Sequence, residues 1–249
     1  DGRRLLSSSW DGAARVWRLG EGGSSVLADH PAHVNGVGFL SGGGMITAAY
    51  DGQVRMFDDT GRLLRQWATG VPVSGLLVTA GDGVVLAMAD GGVRFADAMH
   101  GIHASVAVSE APIVALAATQ DGRMLAAAGF RGALTLIDIV ERRVVRRMEG
   151  PAFPLWSLSF SADGRELLTG GADRLVRRWS VATGESVQPI VGDGEADMPA
   201  RLKDHPGAAV FRACSACHSL TPDGGNRAGP TLHRLFGRRI ASLPDYDYS

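Results

Sequence analysis

Ala49-Tyr50-Asp51-Gly52-Gln53-Val54-Arg55-Met56-Phe57 decides the fold, because the same order of residue types returns four more times along the chain. Its counterparts are Ser9-Trp10-Asp11-Gly12-Ala13-Ala14-Arg15-Val16-Trp17, Met88-Ala89-Asp90-Gly91-Gly92-Val93-Arg94-Phe95, Gly129-Phe130-Arg131-Gly132-Ala133-Leu134-Thr135-Leu136 and Gly171-Ala172-Asp173-Arg174-Leu175-Val176-Arg177-Arg178-Trp179. The anchors Asp11, Asp51, Asp90, Arg131 and Asp173 are spaced by 40, 39, 41 and 42 residues. Around each anchor the chain reads as an apolar strand, a Gly-rich or Asp-Gly turn and a second strand of small residues. The Asp-bearing turn follows, and then an alternating third strand that ends on an aromatic or apolar residue.

Self-similarity at about 40 residues is the period of a β-propeller blade. A lone four-stranded blade cannot bury both faces; stacking blades radially supplies the core, and ring closure removes exposed edges. At these residues the chain resembles the WD-repeat β-propellers. In the second unit Ala32-His33 stands where that family has Gly-His, Thr47 and Asp51 take the strand and turn positions, and Phe57-Asp58 replaces Trp-Asp. The resemblance implies a hydrogen-bonded His, Ser/Thr, Asp and Trp set in each blade, with His33 bonding inside its own blade. Phe57 has no indole N–H to give. Arg131 and Leu136-Ile137 depart from the pattern in the fourth unit. Residues 1–190 are thus expected to form about five units of a mainly β, WD-type propeller, the first incomplete. Since the family most often closes with seven or eight blades, at least one blade is expected upstream. Trp10, Trp17, Trp67, Trp156 and Trp179 are expected to pack between blades.

The carboxy-terminal region is a different object. Both cysteines of the chain lie in Cys214-Ser215-Ala216-Cys217-His218, the spacing used to attach a c-type haem. On a helix these three ligand-bearing residues share one face, and Gly207 to Ala213 favours helix, with Pro206 just ahead of its first turn. A zinc site would need further ligands such as His205 or His233, and a thioredoxin-like pair would need a preceding strand. A plain disulfide would leave His218 unexplained. Downstream come Gly229-Pro230, Leu232-His233-Arg234-Leu235-Phe236-Gly237-Arg238 and Pro244-Asp245-Tyr246-Asp247-Tyr248. With these three motifs in order, the region resembles the class I cytochromes c.

That resemblance implies an all-α domain, of which residues 203–249 are the amino-terminal part, carrying covalently attached haem c. Cys214 and Cys217 would form the thioethers and His218 would be the proximal iron ligand. Pro230 would accept the His218 ring N–H through its carbonyl. Arg238 and Tyr248 would meet a haem propionate, and Leu232, Leu235 and Phe236 would pack on the ring. The family's methionine ligand lies beyond the Tyr248 position, whereas all seven methionines here precede the haem motif. A whole class I domain also needs about 100 residues, so the carboxy-terminal end reads as truncated, and the amino-terminal end, which begins partway through a repeat, reads as truncated too.

Composition fits this division. The chain is 45% apolar and 20% charged with 34 glycines, as expected of a turn-rich β protein with a compact core. A net charge of −1 argues against a nucleic-acid partner. The longest apolar runs, such as Val84-Val85-Leu86-Ala87-Met88-Ala89, are too short to cross a bilayer. Residues 191–202 are Gly-rich and acidic and read as a linker. Neither a Ser-His-Asp set nor a carboxylate pair can be argued, and His100 and His103 form only a sparse candidate metal pair.

The reading is an electron carrier rather than a catalyst: a haem shuttling single electrons, docked to a redox partner protein through the propeller or the haem edge. The alternative is an oxidoreductase whose propeller holds a catalytic cofactor drained by the cytochrome, since Thr60-Gly61-Arg62-Leu63-Leu64-Arg65-Gln66-Trp67 resembles a quinoprotein blade motif once. Haem c maturation implies a bacterial periplasmic protein, either soluble or anchored by a missing amino-terminal segment.

Overall fold

The computed structural model describes residues 2–20, 22–97, 100–151, 153–173, 175–187, 205–208, 211, 214, 218–222, 229–239 and 242–243. Among them the chain forms five antiparallel sheets, each a simple meander in chain order. The first contains β1 (Arg4–Ser8), β2 (Ala13–Arg18) and β3 (Ser24–Asp29). The second contains β4 (Val34–Phe39), β5 (Met45–Ala49), β6 (Gln53–Phe57) and β7 (Leu63–Ala68), and the third β8 (Val73–Val78), β9 (Val84–Met88), β10 (Gly92–Asp97) and β11 (Gly101–Ala107). The fourth is β12 (Ile113–Ala118), β13 (Met124–Gly129), β14 (Ala133–Asp138) and β15 (Arg143–Glu149); the fifth is β16 (Leu155–Phe160), β17 (Glu166–Gly171) and β18 (Val176–Ser180).

The anchor turns do what their residues suggest. In the second sheet Asp51 Oδ1 accepts the Gln53 N–H at 2.8 Å, while Gly52 takes φ +72°, a conformation that glycine adopts without strain. Asp11, Asp90 and Asp173 make the same carboxylate-to-backbone bond two residues on, at 2.8, 3.0 and 3.2 Å. The anchor turn joins the second and third strands of each four-stranded sheet but the first and second strands of the first sheet. Among the described residues the first sheet therefore has no strand at the position that β4, β8, β12 and β16 take in the others. The fifth sheet has its first three strands, and beyond them Ser186 bridges Trp179.

Burial on both faces explains why β5 and β9 are built almost wholly of apolar residues. All five residues of β5 and all five of β9 are buried. Successive side chains point to opposite faces, so Met45 and Ala49 enter a cluster with Ala14, Val16 and Val34, whereas Ile46 and Ala48 join Val73, Leu86 and Met88 on the other side. Likewise Val85 and Ala87 turn toward Ile113, Leu125 and Ile137. The core is therefore four layers, one between each pair of neighbouring sheets. Close approach of the inner strands is written into Gly36, where any Cβ would collide with Leu76 of β8. Strands β4, β8, β12 and β16 pack in succession, and among the described residues β16 makes no comparable contact with β1.

One expectation is corrected. Of the five tryptophans only Trp179 is buried in the core; Trp67 is partly buried against the cluster between the second and third sheets, and Trp10, Trp17 and Trp156 are exposed. The all-α carboxy-terminal domain is not delineated by the described residues. They show helical backbone at Ala208, Phe211 and Cys214, with the Phe211 N–H donating to Gly207 O and the His218 N–H to Cys214 O, both at 2.9 Å. The linker expected at 191–202 lies outside the described residues. No helix among the described residues is long and apolar enough to cross a membrane.

Candidate functional site

Two polar constellations stand out, one inside the sheets and one around His218. In the second sheet the buried His30 lies between two partners: Nδ1 is 2.9 Å from Asp51 Oδ2 and Nε2 is 3.0 Å from Thr47 Oγ1. The carboxylate accepts the Nδ1 proton, and Nε2 can accept the threonine hydroxyl. His33, expected in this role, does not fill it; its ring stacks on Trp10 at 5.0 Å and 8° and tilts against Tyr50. The reason is geometric. The His30 N–H is tied to Gly12 O at 2.8 Å, which carries residue 30 over the anchor turn of the first sheet and aims its ring at β5. With Thr47 wholly buried and the His30 side chain sealed from solvent, this set braces the sheet and offers no accessible nucleophile.

Related ties recur elsewhere. The Trp17 indole N–H donates to Ser7 Oγ at 2.8 Å and the Trp179 indole N–H to Thr169 Oγ1 at 3.0 Å. The third and fourth sheets place Leu86 with Ala96 and Ala127 with Ile137 at the same positions, all buried. His100 engages Asp97 and His103 faces Phe95 O, so each ring has its own local partner.

The second constellation joins residues 218–221 to residues 230–238. His218 Nδ1 lies 2.8 Å from Pro230 O. A carbonyl can only accept, so Nδ1 carries the proton and, in the neutral ring, Nε2 keeps its lone pair for a ligand. Cys214 is exposed, with a free thiol. Leu232 is half-buried and its N–H donates to Ser219 O at 2.8 Å; Leu235 is 45% exposed and Phe236 98% exposed. Arg238 directs Nη1 at His233 O (3.0 Å) and Nη2 at Thr231 O (2.8 Å), so it braces the turn that carries Leu235 and Phe236. Cys217 and Tyr248 lie outside the described residues. Ser219, Thr221 and Thr231 link the two segments through hydroxyl hydrogen bonds and are not among the residues expected from sequence; the only signal for them was a hydroxyl residue directly after His218 and another after Pro230.

This donor set fits a covalently held haem: an exposed cysteine thiol, an imidazole with one nitrogen fixed as donor and the other left as a ligand, and apolar side chains on the adjoining turn. Among the described residues no cluster of three or more acidic, Cys or His side chains offers a separate metal site.

Comparison with known proteins finds relatives of two kinds. Residues 1–18, 24–58 and 142–180 match the WD domain, G-beta repeat family. A protein of Saccharomyces cerevisiae, U3 small nucleolar RNA-associated protein 21, is 28% identical over 163 residues, 64% of this chain and 16% of its own length. Cytochrome c2 of Afifella marina is 51% identical over 43 residues, 17% of this chain and 35% of its own length. Cytochrome c of Arabidopsis thaliana is 46% identical over 44 residues, 17% of this chain and 39% of its own. The chain therefore spans well under half of each of these relatives. In residues 1–18, 24–58 and 142–180 it is similar to WD repeats and, over a short stretch, it is similar to cytochromes c.

Proposed function

We propose that this chain belongs to a c-type haem protein that carries single electrons, its WD-repeat sheets serving as the docking scaffold for a redox partner protein. The observation that supports this most is the His218 ring, whose Nδ1–H is held by Pro230 O while Nε2 stays free to bind iron. Bound haem c would supply a one-electron couple, its iron alternating between ferric and ferrous. The chain's own residues would do the holding. Cys214 and Cys217 supply the thiols, and the His218 N–H to Cys214 O bond sets the imidazole one turn from the first of them. Leu232, Leu235 and Phe236 supply apolar contact, and Arg238 and Tyr248 are assigned to the propionates. Covalent attachment by a maturation apparatus outside the cytoplasm would place the protein in a bacterial periplasm.

The test is a haem stain of a denaturing gel together with a pyridine haemochrome spectrum. The chain is produced in a periplasm with cytochrome c maturation factors, beside the Cys214→Ala/Cys217→Ala variant. Haem retained through denaturation by the parent alone is the expected result. A parent without covalent haem would overturn the proposal and leave the WD repeats as an interaction module.

A further inference from the structure

We infer that Thr231 is the positioning residue that fixes the Pro230 carbonyl on His218, and through it the ring's tautomer; its relevance to haem rests on the function proposed above. Proline has no N–H, so residue 230 cannot anchor itself through its own backbone donor. The carbonyl facing His218 shares its planar peptide unit with the nitrogen of Thr231, so whatever anchors residue 231 orients it. Thr231, 8% exposed, holds it from both ends of its own residue: Oγ1 donates to Thr221 O at 2.6 Å and accepts the His233 N–H at 3.1 Å, while its carbonyl takes Arg238 Nη2 at 2.8 Å. The receiving segment is itself rigid. Ser219, 2% exposed, accepts the Thr221 N–H on Oγ at 2.9 Å and the Leu232 N–H on its carbonyl at 2.8 Å. Two segments 12 residues apart are thereby locked in register on either side of the His218–Pro230 contact.

The chemical consequence falls on the imidazole. A well-placed acceptor at Nδ1 keeps the proton there, leaves Nε2 as the lone-pair nitrogen and makes the ring a stronger donor to a metal. Thr231→Val removes the hydroxyl but keeps shape and volume, which leaves Thr221 O without this donor and lets the 230–231 peptide rotate.

The measurement is nitrogen NMR of the neutral His218 ring in the haem-free full chain. The parent is expected to hold the proton on Nδ1, Thr231→Val to raise the Nε2–H fraction about fivefold, the equilibrium worth of one net hydrogen bond, and Thr231→Ser to restore the parent's ratio. Ser219→Ala, which removes a hydroxyl from the same lattice but keeps the Ser219 carbonyl that Thr231 Oγ1 also meets at 3.3 Å, should change the ratio much less than Thr231→Val does. In haem-loaded protein Thr231→Val should raise the midpoint potential, because a weaker imidazole donor favours the ferric state less. An unchanged tautomer ratio in Thr231→Val, or an equal change in Ser219→Ala, overturns the assignment. Should Thr231→Val lose the folded signals of residues 218–233, the parent decides: a Thr231 hydroxyl proton protected from water exchange supports the role, and one exchanging freely overturns it. Because the tautomer is read without haem, its failure is separable from failure of the haem stain.

Discussion

The second and third repeats answer the same structural demand with opposite chemistry. Both present an Asp-Gly anchor turn, a wholly buried second strand and a third strand that alternates toward the two neighbouring layers. Four residues before the anchor, however, the second repeat has Thr47, bonded to His30, where the third has Leu86; six residues after it, Phe57 corresponds to Ala96. The turn and the period thus suffice to make the sheet, and its interior can be closed by a polar tie or by apolar packing alone. The family matches follow this difference. They cover 1–18, 24–58 and 142–180, where the Trp17–Ser7, His30–Thr47 and Trp179–Thr169 bonds lie, and omit residues 59–141, which include Leu86 and Ala127.

This contrast can be broken in graded steps. The largest effect is expected from Leu86→Ala, which empties a fully buried position between the second and third sheets and should cost about 2–5 kcal/mol. Urea unfolding should show a lowered midpoint with an unchanged slope; a loss below about 1 kcal/mol would mean that this layer carries little of the stability.

Thr47→Val comes next. It strands the Nε2 of a sealed histidine and should cost about 1–3 kcal/mol. Pairing it with His30→Leu should cost less than the two single changes together, because the polar partners leave as a unit; strict additivity in that cycle would sink the tie as an energetic pair.

The smallest effect concerns Asp58, just past the third strand of the second sheet. The Thr60 hydroxyl first, and then the Arg62 N–H, hold its carboxylate down from 3.8 to about 2. A group whose folded value lies below its unfolded one stabilises above the unfolded value and loses that contribution as pH falls. The parent should therefore lose a small increment of stability between pH about 4 and about 2 that Asp58→Asn does not lose. Parallel pH profiles of the melting temperature for the two proteins would refute this.

What could be read in advance was whatever depends on near neighbours in sequence. Asp51 and Gly52 dictate their turn through a bond two residues long and one glycine conformation, so the five anchors fix the repeat before any strand is placed. A second strand of small residues was likewise legible, whereas the burial of β5 and β9 on both faces came only with the stacked sheets. The histidine of the second repeat was misassigned because Ala32-His33 has the better local look. What selects His30 is the bond from its N–H to Gly12 O, 18 residues back in the preceding repeat, together with Thr47 and Asp51 ahead. Exposure of Trp10 and Trp156 was missed for a similar reason: a side chain's burial depends on which sheet stacks beside it.

In the carboxy-terminal segment the chemistry-bearing residues could be named from their spacing and from the family they resemble, but the lattice that ties them could not. Ser219, Thr221 and Thr231 are ordinary hydroxyl residues until the chain turns back and sets one run against the other. By itself, then, the sequence determined the repeat, its turns, the apolar strands and the identity of the cysteines and histidine beside them, since each is encoded within a few covalent bonds. The tertiary structure alone decided which histidine is sealed in the second sheet, which tryptophan is buried and what holds Pro230 against His218. Those outcomes depend on hydrogen bonds and packing between segments that only the folded chain brings together.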